Sequence, residues 1–225
     1  RWSTGTTYNT SYDQQWRNKG WILTYGSYSV LNPAIPEARQ HSLDVLAEIL
    51  NNYQVDGVVF DDYFYPNNIP QSSSAADYSL WANSGSSLSI GDWRRENVHI
   101  AIREFHALIK SLRPDVRFGI SPAGVADTSA GKFGLSGCPG SDWQYSEIFS
   151  DPLQWLYEGT IDFISPQIYW TINHSTNPFD DITSWWSNTA NHFGRHHYAS
   201  QEIADLMSSG NSTTNWKECA NQIKS

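Results

Sequence analysis

Short strand-like runs alternate along the chain with longer segments whose apolar residues recur at helical spacing. The strand-like runs are VDGVVF, VRFGISP, IDFISPQIYW and RHHYAS, which begin at Val55, Val116, Ile161 and Arg195. A run such as VDGVVF is typical of a parallel strand that is buried on both faces of a sheet. The pattern therefore predicts four strands that are separated by helices.

Helices are predicted between these strands and after the last one. One begins at Pro36, because proline suits the first helical position and Glu37 follows in the first turn. A second begins at Trp93, with Asp92 as its N-cap, and Pro114 stops it. Apolar residues at helical spacing are Leu43, Leu46, Ala47 and Leu50 in the first, and Val98, Ala101, Ile102, Phe105, Leu108, Ile109 and Leu112 in the second. Further helices are predicted over residues 146–157, 180–193 and 214–224.

The connections differ in length on the two sides of the strands. Those that follow strands are long and polar, over residues 66–91 and 122–143, whereas those that precede strands are as short as RPDV and EGTID. Long loops at the carboxyl ends of strands carry function in β/α barrels, and no glycine-rich phosphate loop follows any strand here. The pattern predicts an α/β fold of the TIM (β/α)8 type, present as a partial barrel of about four βα units. Residues 1–225 are predicted to form this single domain, and residues 1–31 a long loop, because no hydrophobic period is sustained there.

Composition excludes several classes of partner. The formal net charge is −9, and the 14 Lys and Arg residues are not clustered. Nucleic acids and anionic membrane surfaces attract basic patches, so neither is a predicted partner. No run of about 18 apolar residues occurs, so no membrane span is predicted. The two cysteines are far apart and the seven histidines lack metal-ligand spacing, so no metal or cofactor is predicted either.

Two adjacent carboxylates end the first predicted strand. Asp61 and Asp62 directly follow GVVF. Successive strand residues point to opposite faces, but at the carboxyl end of a strand the second residue can turn with the loop toward the same pocket. Two carboxylates in one pocket repel each other, so that one pKa rises and the other stays low. This division predicts an acid–base pair, with Asp61 and Asp62 as catalytic residues.

Other residues at the predicted strand ends suit sugar binding. Gln and Tyr hydrogen-bond to hydroxyl groups, and Trp stacks on a sugar face. Glu147, which follows the second strand, is predicted as a further catalytic carboxylate. The predicted substrate-binding residues are Asn32, Tyr63, Tyr65, Arg95, Ser121, Gln167, Tyr169, Trp170 and Glu202.

The motifs LNPAIPEAR, VDGVVFDDYFYP, WRRENV, FGISPAG, GTIDFISPQIYW and SWW occur in this order. In this the chain resembles the glycosyl-hydrolase-like family ten of bacterial envelope proteins, from about residue 31 to 186 and more weakly to the end. The resemblance implies a (β/α)8 barrel of which this chain holds strands four to seven. It also implies that the remaining part of the barrel is a partner. The chain departs from the family at Val59, where many members have histidine.

The resemblance implies a glycoside hydrolase that acts on a polysaccharide, with peptidoglycan as a candidate substrate. Two mechanisms are open. Asp61 could act as a nucleophile with a second carboxylate about 5 Å away as acid–base. Alternatively, one Asp of the pair orients an N-acetyl group that attacks the anomeric carbon, while the other protonates the leaving oxygen. An inactive carbohydrate-binding relative is the alternative class.

The resemblance also bears on location. Members are often lipoproteins or other envelope proteins, which implies a periplasmic, cell-surface or secreted protein. The chain begins at Arg1 and its only methionine is Met207. We therefore expect that a start, and any signal peptide, lie outside this chain.

Overall fold

The structure is a computed structural model that describes residues 2–3, 10–203 and 212–225. Its strands are β1 (Trp2–Ser3), β2 (Ile22–Tyr25), β3 (Tyr28–Leu31), β4 (Gly57–Asp61), β5 (Arg117–Ser121), β6 (Phe163–Ile164) and β7 (His196–His197). Its helices are α1 (Thr10–Asn18), α2 (Pro36–Asn52), α3 (Tyr78–Ala82), α4 (Ile90–Leu112), α5 (Trp143–Ser146), α6 (Pro152–Glu158), α7 (Phe179–His192) and α8 (Ser212–Lys224). No helix within these described ranges is long and apolar enough to cross a bilayer.

Four of the strands form a sheet in the order β4-β5-β6-β7. β5 and β6 pair in parallel with Gly119 opposite Phe163, and β6 and β7 pair in parallel with Ile164 opposite His197. A smaller antiparallel sheet has the order β1-β3-β2. The predicted α/β fold with a parallel sheet is confirmed. Its strands lie side by side in chain order, as the strands of a β/α barrel do.

The chain divides into two compact units that alternate along the sequence. Unit 1 comprises the described residues of 1–57, 63–116 and 145–151, and it contains the small sheet and helices α1 to α4. Unit 2 comprises the described residues of 58–62, 117–144 and 152–225, and it contains the parallel sheet from Val58 onward with helices α6 to α8.

The core of unit 1 lies between α2 and α4. Leu46 and Leu50 of α2 are buried, at 4% and 2% exposure, and so are the α4 residues Val98, Ala101, Ile102, Phe105 and Ile109. Arg39 of α2 donates from Nε to Glu104 Oε2 of α4 at 2.8 Å. The helical periodicity predicted for both segments is therefore confirmed. The patterns fade at their ends, where Leu112 is 39% exposed.

The two faces of the parallel sheet differ in unit 2. Phe118, Ile120 and Ile164 point to one face and are fully buried. Gly119 points to the other face, where a side chain would collide with the ring of Phe163. At the start of β6, Asp162 accepts a hydrogen bond at Oδ2 from the backbone N–H of Phe118 at 2.8 Å. One face thus forms the apolar core, and the Phe163 ring covers part of the other.

The predicted loop over residues 1–31 is wrong for the part that the structure describes. Residues Thr10–Asn18 form α1, and β2 and β3 form a hairpin. Gly26 and Ser27 connect the paired residues Tyr25 and Tyr28, and Gly26 has a φ of 56°. A two-residue loop that begins with a left-handed glycine matches the twist of a hairpin. The sequence did not indicate this helix and hairpin, because polar residues interrupt any apolar period in the segment.

Three local predictions also need correction. Asp92 does not cap α4: Ser89 does, because its hydroxyl accepts from the Asp92 N–H at 3.1 Å. The helix predicted over residues 146–157 is interrupted between α5 and α6, since proline disfavours helical backbone in the residue before it and Pro152 begins α6. The polar loop over residues 66–91 contains the short helix α3.

β4 is not buried on both faces. Val59 is 54% exposed, and exposed and half-buried positions alternate through Gly57–Asp61. The physical reason is that β4 lies at the edge of the described sheet. The carboxylate that ends β4 is therefore open to solvent.

Candidate active site at the carboxyl ends of the parallel strands

The adjacent carboxylates lie at the carboxyl end of β4, but their surroundings differ. Asp61, the last residue of β4, is exposed, whereas Asp62 is 1% exposed. The backbone N–H of Asp62 donates to Asp61 Oδ1 at 2.9 Å. The side chains therefore follow the alternation of a strand, because Asp62 turns inward behind Asp61 instead of facing the same opening. Only Asp61 can touch a sugar in this conformation, which corrects the prediction that both can.

Gln167 links Asp61 to the neighbouring strand β5. Its side-chain Nε2 donates to Asp61 Oδ1 at 2.9 Å and to the backbone oxygen of Ser121 at 2.8 Å. Asp61 Oδ1 thus accepts hydrogen bonds from two N–H groups, those of Gln167 and Asp62. Hydrogen bonds donated to a carboxylate favour its ionised form.

Burial raises the pKa of Asp62 from 3.8 to about 7, and the hydrogen bond and negative charge of Asp61 add to the rise. Backbone N–H groups of Asp62 and Ala123 act in the opposite direction. One Asp62 oxygen, Oδ1, is buried and has no hydrogen-bond partner among the described residues. The pair is therefore asymmetric: below pH 7 the buried Asp62 holds a proton beside the exposed Asp61.

The protonation of Asp62 predicts a pH dependence of stability. In the unfolded chain an Asp releases its proton near pH 3.9. The folded state therefore binds more protons than the unfolded state between about pH 4 and 7. As the pH rises through this window, the free energy of unfolding falls by roughly 2–4 kcal/mol. Above pH 7 the titration of Asp62 causes no further change in it. Asp62→Asn is neutral at every pH and should remove this loss. Urea unfolding of both proteins between pH 4.5 and 8 measures it, and parallel pH profiles would contradict the asymmetry.

Tyr169 and Glu202 belong to the same region of unit 2. Tyr169 is 44% exposed, and its pKa is raised first by burial and then by the negative charges of Glu202, Asp61 and Asp62. The Tyr169 hydroxyl therefore keeps its proton at neutral pH and can donate a hydrogen bond to a sugar oxygen. The substrate-binding roles of Tyr169 and Glu202 stay predictions.

Serine hydroxyls extend the polar edge beyond Gln167. Ser121 Oγ donates to the backbone oxygen of Ser165 at 2.9 Å, and the hydroxyls of Ser165 and Ser200 lie 2.8 Å apart. Ser165 and Ser200 were not predicted as site residues. A signal was present, because the triplets GIS, FIS and YAS each bring a serine to a strand end. Trp170 is half-buried, and its ring lies where a side chain on Gly124 would be.

Five of the predicted site residues lie in unit 1. Tyr65 is fully buried, with its ring edge-on to Phe149 at 5.5 Å, so it is a core residue and not a substrate contact. Asn32 is 5% exposed, and its Oδ1 accepts from the Ala34 N–H at 3.0 Å, which shapes the turn before α2. Both assignments as substrate-binding residues are corrected by this burial.

The other three residues of unit 1 keep some exposure. Arg95 donates to the backbone oxygen of Tyr145 at 2.8 Å and to Asp92 Oδ1 at 2.7 Å, so local contacts occupy its guanidinium group. Tyr63 is half-buried, and so is Glu147, which follows α5. The catalytic role of Glu147 stays a prediction.

Comparison with known proteins identifies the relationship. The family model "Glycosyl hydrolase-like 10" matches residues 6–218. The chain is 35% identical over 187 residues to the glycosyl hydrolase YngK of Bacillus subtilis, covering 82% of this chain and 36% of that protein. It is 38% identical over 177 residues to the glycosyl hydrolase DigH of Escherichia coli K12, covering 76% of this chain and 39% of that protein.

A solved glycoside hydrolase domain, that of PgaB (BpsB) from Bordetella bronchiseptica, superposes with a TM-score of 0.49 at 11% identity, over 85% of this chain and 64% of that one. The chain spans 36–39% of the length of the curated relatives that it matches. The match to the family model extends over most of the chain, on both sides of the Asp61–Asp62 strand end. The chain therefore belongs to the glycosyl hydrolase-like 10 family.

Proposed function

We propose that this chain contributes the carboxylate centre of a glycoside hydrolase. In this centre Asp61 contacts the sugar, and the buried Asp62 holds Asp61 in position. The observation that carries the proposal is the asymmetric pair: an exposed carboxylate that accepts two hydrogen bonds beside a buried carboxyl with a pKa of about 7. Perturbed pKa values cluster at functional sites, and the carboxyl ends of barrel strands are where catalytic residues lie.

The geometry limits which mechanisms fit. In a retaining glycosidase the two catalytic carboxyls flank the bond at about 5–5.5 Å. Asp61 and Asp62 are joined by a hydrogen bond, and Asp62 is buried, so these two cannot flank a sugar. Asp62 is accordingly a positioning residue. The group that protonates the leaving oxygen is then another carboxylate, and Glu202 is the candidate that lies in the same unit as Asp61.

Asp61 has one role in each remaining mechanism. Two N–H groups, those of Gln167 and Asp62, orient this exposed carboxylate through its Oδ1. The Asp61 carboxylate could attack the anomeric carbon, or it could accept the N–H of an acetamido group whose carbonyl oxygen attacks that carbon. We favour the second role, because a hydrogen-bonded pair that shares a proton holds an acetamido group well and is a poor flanking pair. This role implies an N-acetylated glycan such as peptidoglycan, and hence an envelope or secreted location.

The proposal is tested with defined glycans. We expect the protein to release reducing ends from chitooligosaccharides and from peptidoglycan strands that lack peptides, and not from neutral α- and β-glucans. A 2-deoxy-2-fluoroglycoside should not label Asp61 if the acetamido group is the nucleophile, whereas a thiazoline analogue of the cyclised intermediate should inhibit. Hydrolysis of the neutral glucans together with a covalent adduct on Asp61 would reverse the choice of mechanism.

A carbohydrate-binding protein without turnover is the second candidate. It is favoured by the burial of Asp62, which leaves Asp61 as the one exposed member of the pair. Because the chain spans 36–39% of its relatives, the rest of the barrel remains a proposed partner of the site. Isothermal titration with chitooligosaccharides separates the classes. Unchanged affinity in Asp61→Asn, with no reducing ends released by the wild type, would establish the binding protein.

A further inference from the structure

The backbone of Gln167 is fixed by hydrogen bonds to the neighbouring strands. Its N–H donates to the backbone oxygen of Pro122 at 2.7 Å, and its carbonyl oxygen accepts from the Gly124 N–H at 3.0 Å. Parallel bridges pair Gln167 with Ala123 on one side and with Ser200 on the other. The sheet therefore continues past the ends of β5, β6 and β7 at this residue. A side chain that starts from such a backbone has a fixed origin.

The side-chain amide of Gln167 uses both of its protons within the sheet. Nε2 donates to Asp61 Oδ1 at 2.9 Å and to the Ser121 backbone oxygen at 2.8 Å. A glutamine amide has two N–H donors. No donor of this amide is left for a sugar hydroxyl, although substrate binding was the role predicted from the sequence. The amide instead ties the carboxylate of the edge strand β4 to the neighbouring strand β5.

This contact also selects which carboxyl of the pair is charged. Asp61 Oδ1 receives the Gln167 amide in addition to the Asp62 N–H. Asp62 Oδ1 is buried and receives no hydrogen bond from the described residues. The hydrogen bonds donated to Asp61 stabilise a negative charge on Asp61, and burial disfavours a negative charge on Asp62. Both effects favour the same distribution of charge. The shared proton therefore stays on Asp62.

We propose that Gln167 is a positioning residue that fixes both the orientation of Asp61 and its negative charge. The inference deepens the proposed function, on which its catalytic meaning rests. The contact that it describes does not depend on that function, so titration of the carboxyls tests it separately.

The test uses Gln167→Met, which keeps the length of the side chain and removes the donor. Aspartate carboxyls labelled with 13C are titrated by NMR, and the signals of the pair are assigned with Asp61→Asn and Asp62→Asn. In Gln167→Met we expect the lower of the two titration steps of the pair to move upward by about one pH unit, because a hydrogen bond to the ionised form is lost. Part of the shared proton should move to Asp61.

A second variant and a control keep the test decisive. Gln167→Asn retains an amide but withdraws it by one methylene group, and should shift the titration in the same direction if Gln167→Met does not fold. Gln71→Met removes an exposed amide that donates to the Ser146 backbone oxygen at 3.4 Å in unit 1, and should shift nothing. A loss of stability alone would not move the carboxyl titration.

The outcomes separate the inference from the proposed function. If the lower titration step of the pair in both Gln167 variants coincides with that of the wild type, the positioning role is wrong, whether or not the protein hydrolyses glycans. If this step moves and no glycan is cleaved, the positioning role stands and the hydrolase proposal fails. If both hold, the acidic limb of the pH profile of kcat/KM should rise with the titration step.

Discussion

Asp77→Asn should lower the free energy of unfolding by about 3–5 kcal/mol. Asp77 forms a bidentate ion pair with Arg94, at 2.6 Å from Nη2 and 2.9 Å from Nε, and neither side chain is exposed to solvent. Loss of one partner leaves a buried charge without compensation, which costs more than the pair contributes. Urea unfolding followed by tryptophan fluorescence measures the change.

Arg94 makes further contacts within unit 1. Its Nη2 also donates to the Pro70 backbone oxygen at 2.9 Å, and its guanidinium group lies 4.7 Å from the centre of the Phe149 ring. The pair thus fixes the loop from Pro70 to Asp77 against α4. Its complete burial assigns Arg94 to the core of unit 1.

The neighbouring residue supplies a matched control. Arg95 bonds to Asp92, which is 50% exposed, so Arg95→Met should cost about 1 kcal/mol or less. Replacing the buried pair with apolar residues, Arg94→Met with Asp77→Leu, should cost less than Asp77→Asn alone, because no unpaired charge remains. Equal losses for Asp77→Asn and Arg95→Met would contradict the description of this pair.

Asp61→Asn should reduce glycan hydrolysis by about 100- to 10,000-fold. Asparagine preserves the shape of the side chain but removes the negative charge that accepts the acetamido N–H or attacks the sugar. Binding should weaken much less than turnover, because the charge matters most in the transition state. Steady-state kinetics on chitooligosaccharides, together with titration calorimetry, separates the two effects.

The control for this substitution is Asp181→Asn. Asp181 is an exposed aspartate in the first turn of α7 and belongs to the same unit. The Asp181→Asn variant should retain the wild-type rate of glycan hydrolysis. Thermal unfolding of both variants confirms that they are folded. Hydrolysis by Asp61→Asn within about threefold of the wild type would exclude Asp61 as a catalytic residue.

Much of the site could be predicted because strand ends are visible in the sequence. An apolar run that stops at two aspartates marks a carboxyl end, and parallel strands bring such ends to one edge. Asp61, Ser121, Gln167 and Tyr169 could be placed at one edge of the sheet in this way. The role of Gln167 could not be predicted, because it depends on which neighbour each amide proton reaches.

Burial was the property that the sequence conveyed least well. Tyr65 follows the aspartate pair and resembles an exposed sugar platform, yet it packs against Phe149 in the core of unit 1. Val59 looks like a core residue and is 54% exposed, because its strand lies at the edge of the described sheet. In both cases the outcome depends on the tertiary neighbours, which local hydrophobicity does not specify.

The β2–β3 hairpin was not predicted from the sequence, for a different reason. The Gly26–Ser27 turn is a recognisable hairpin signal, but its flanking strands have mixed polarity. Ser29 is fully buried and accepts from Arg17 Nη2 at 3.2 Å, so a polar side chain fills an interior position there. A search for alternating apolar residues passes over such a strand.

The most direct test of the account compares two glycans that differ only in N-acetylation. Chitooligosaccharides and their de-N-acetylated counterparts of equal length are incubated with the protein at pH 6, and released reducing ends are measured. We expect release from the acetylated glycan and little or none from the deacetylated one. Equal release from both would contradict the acetamido role of Asp61, and release from neither would contradict hydrolysis at this site.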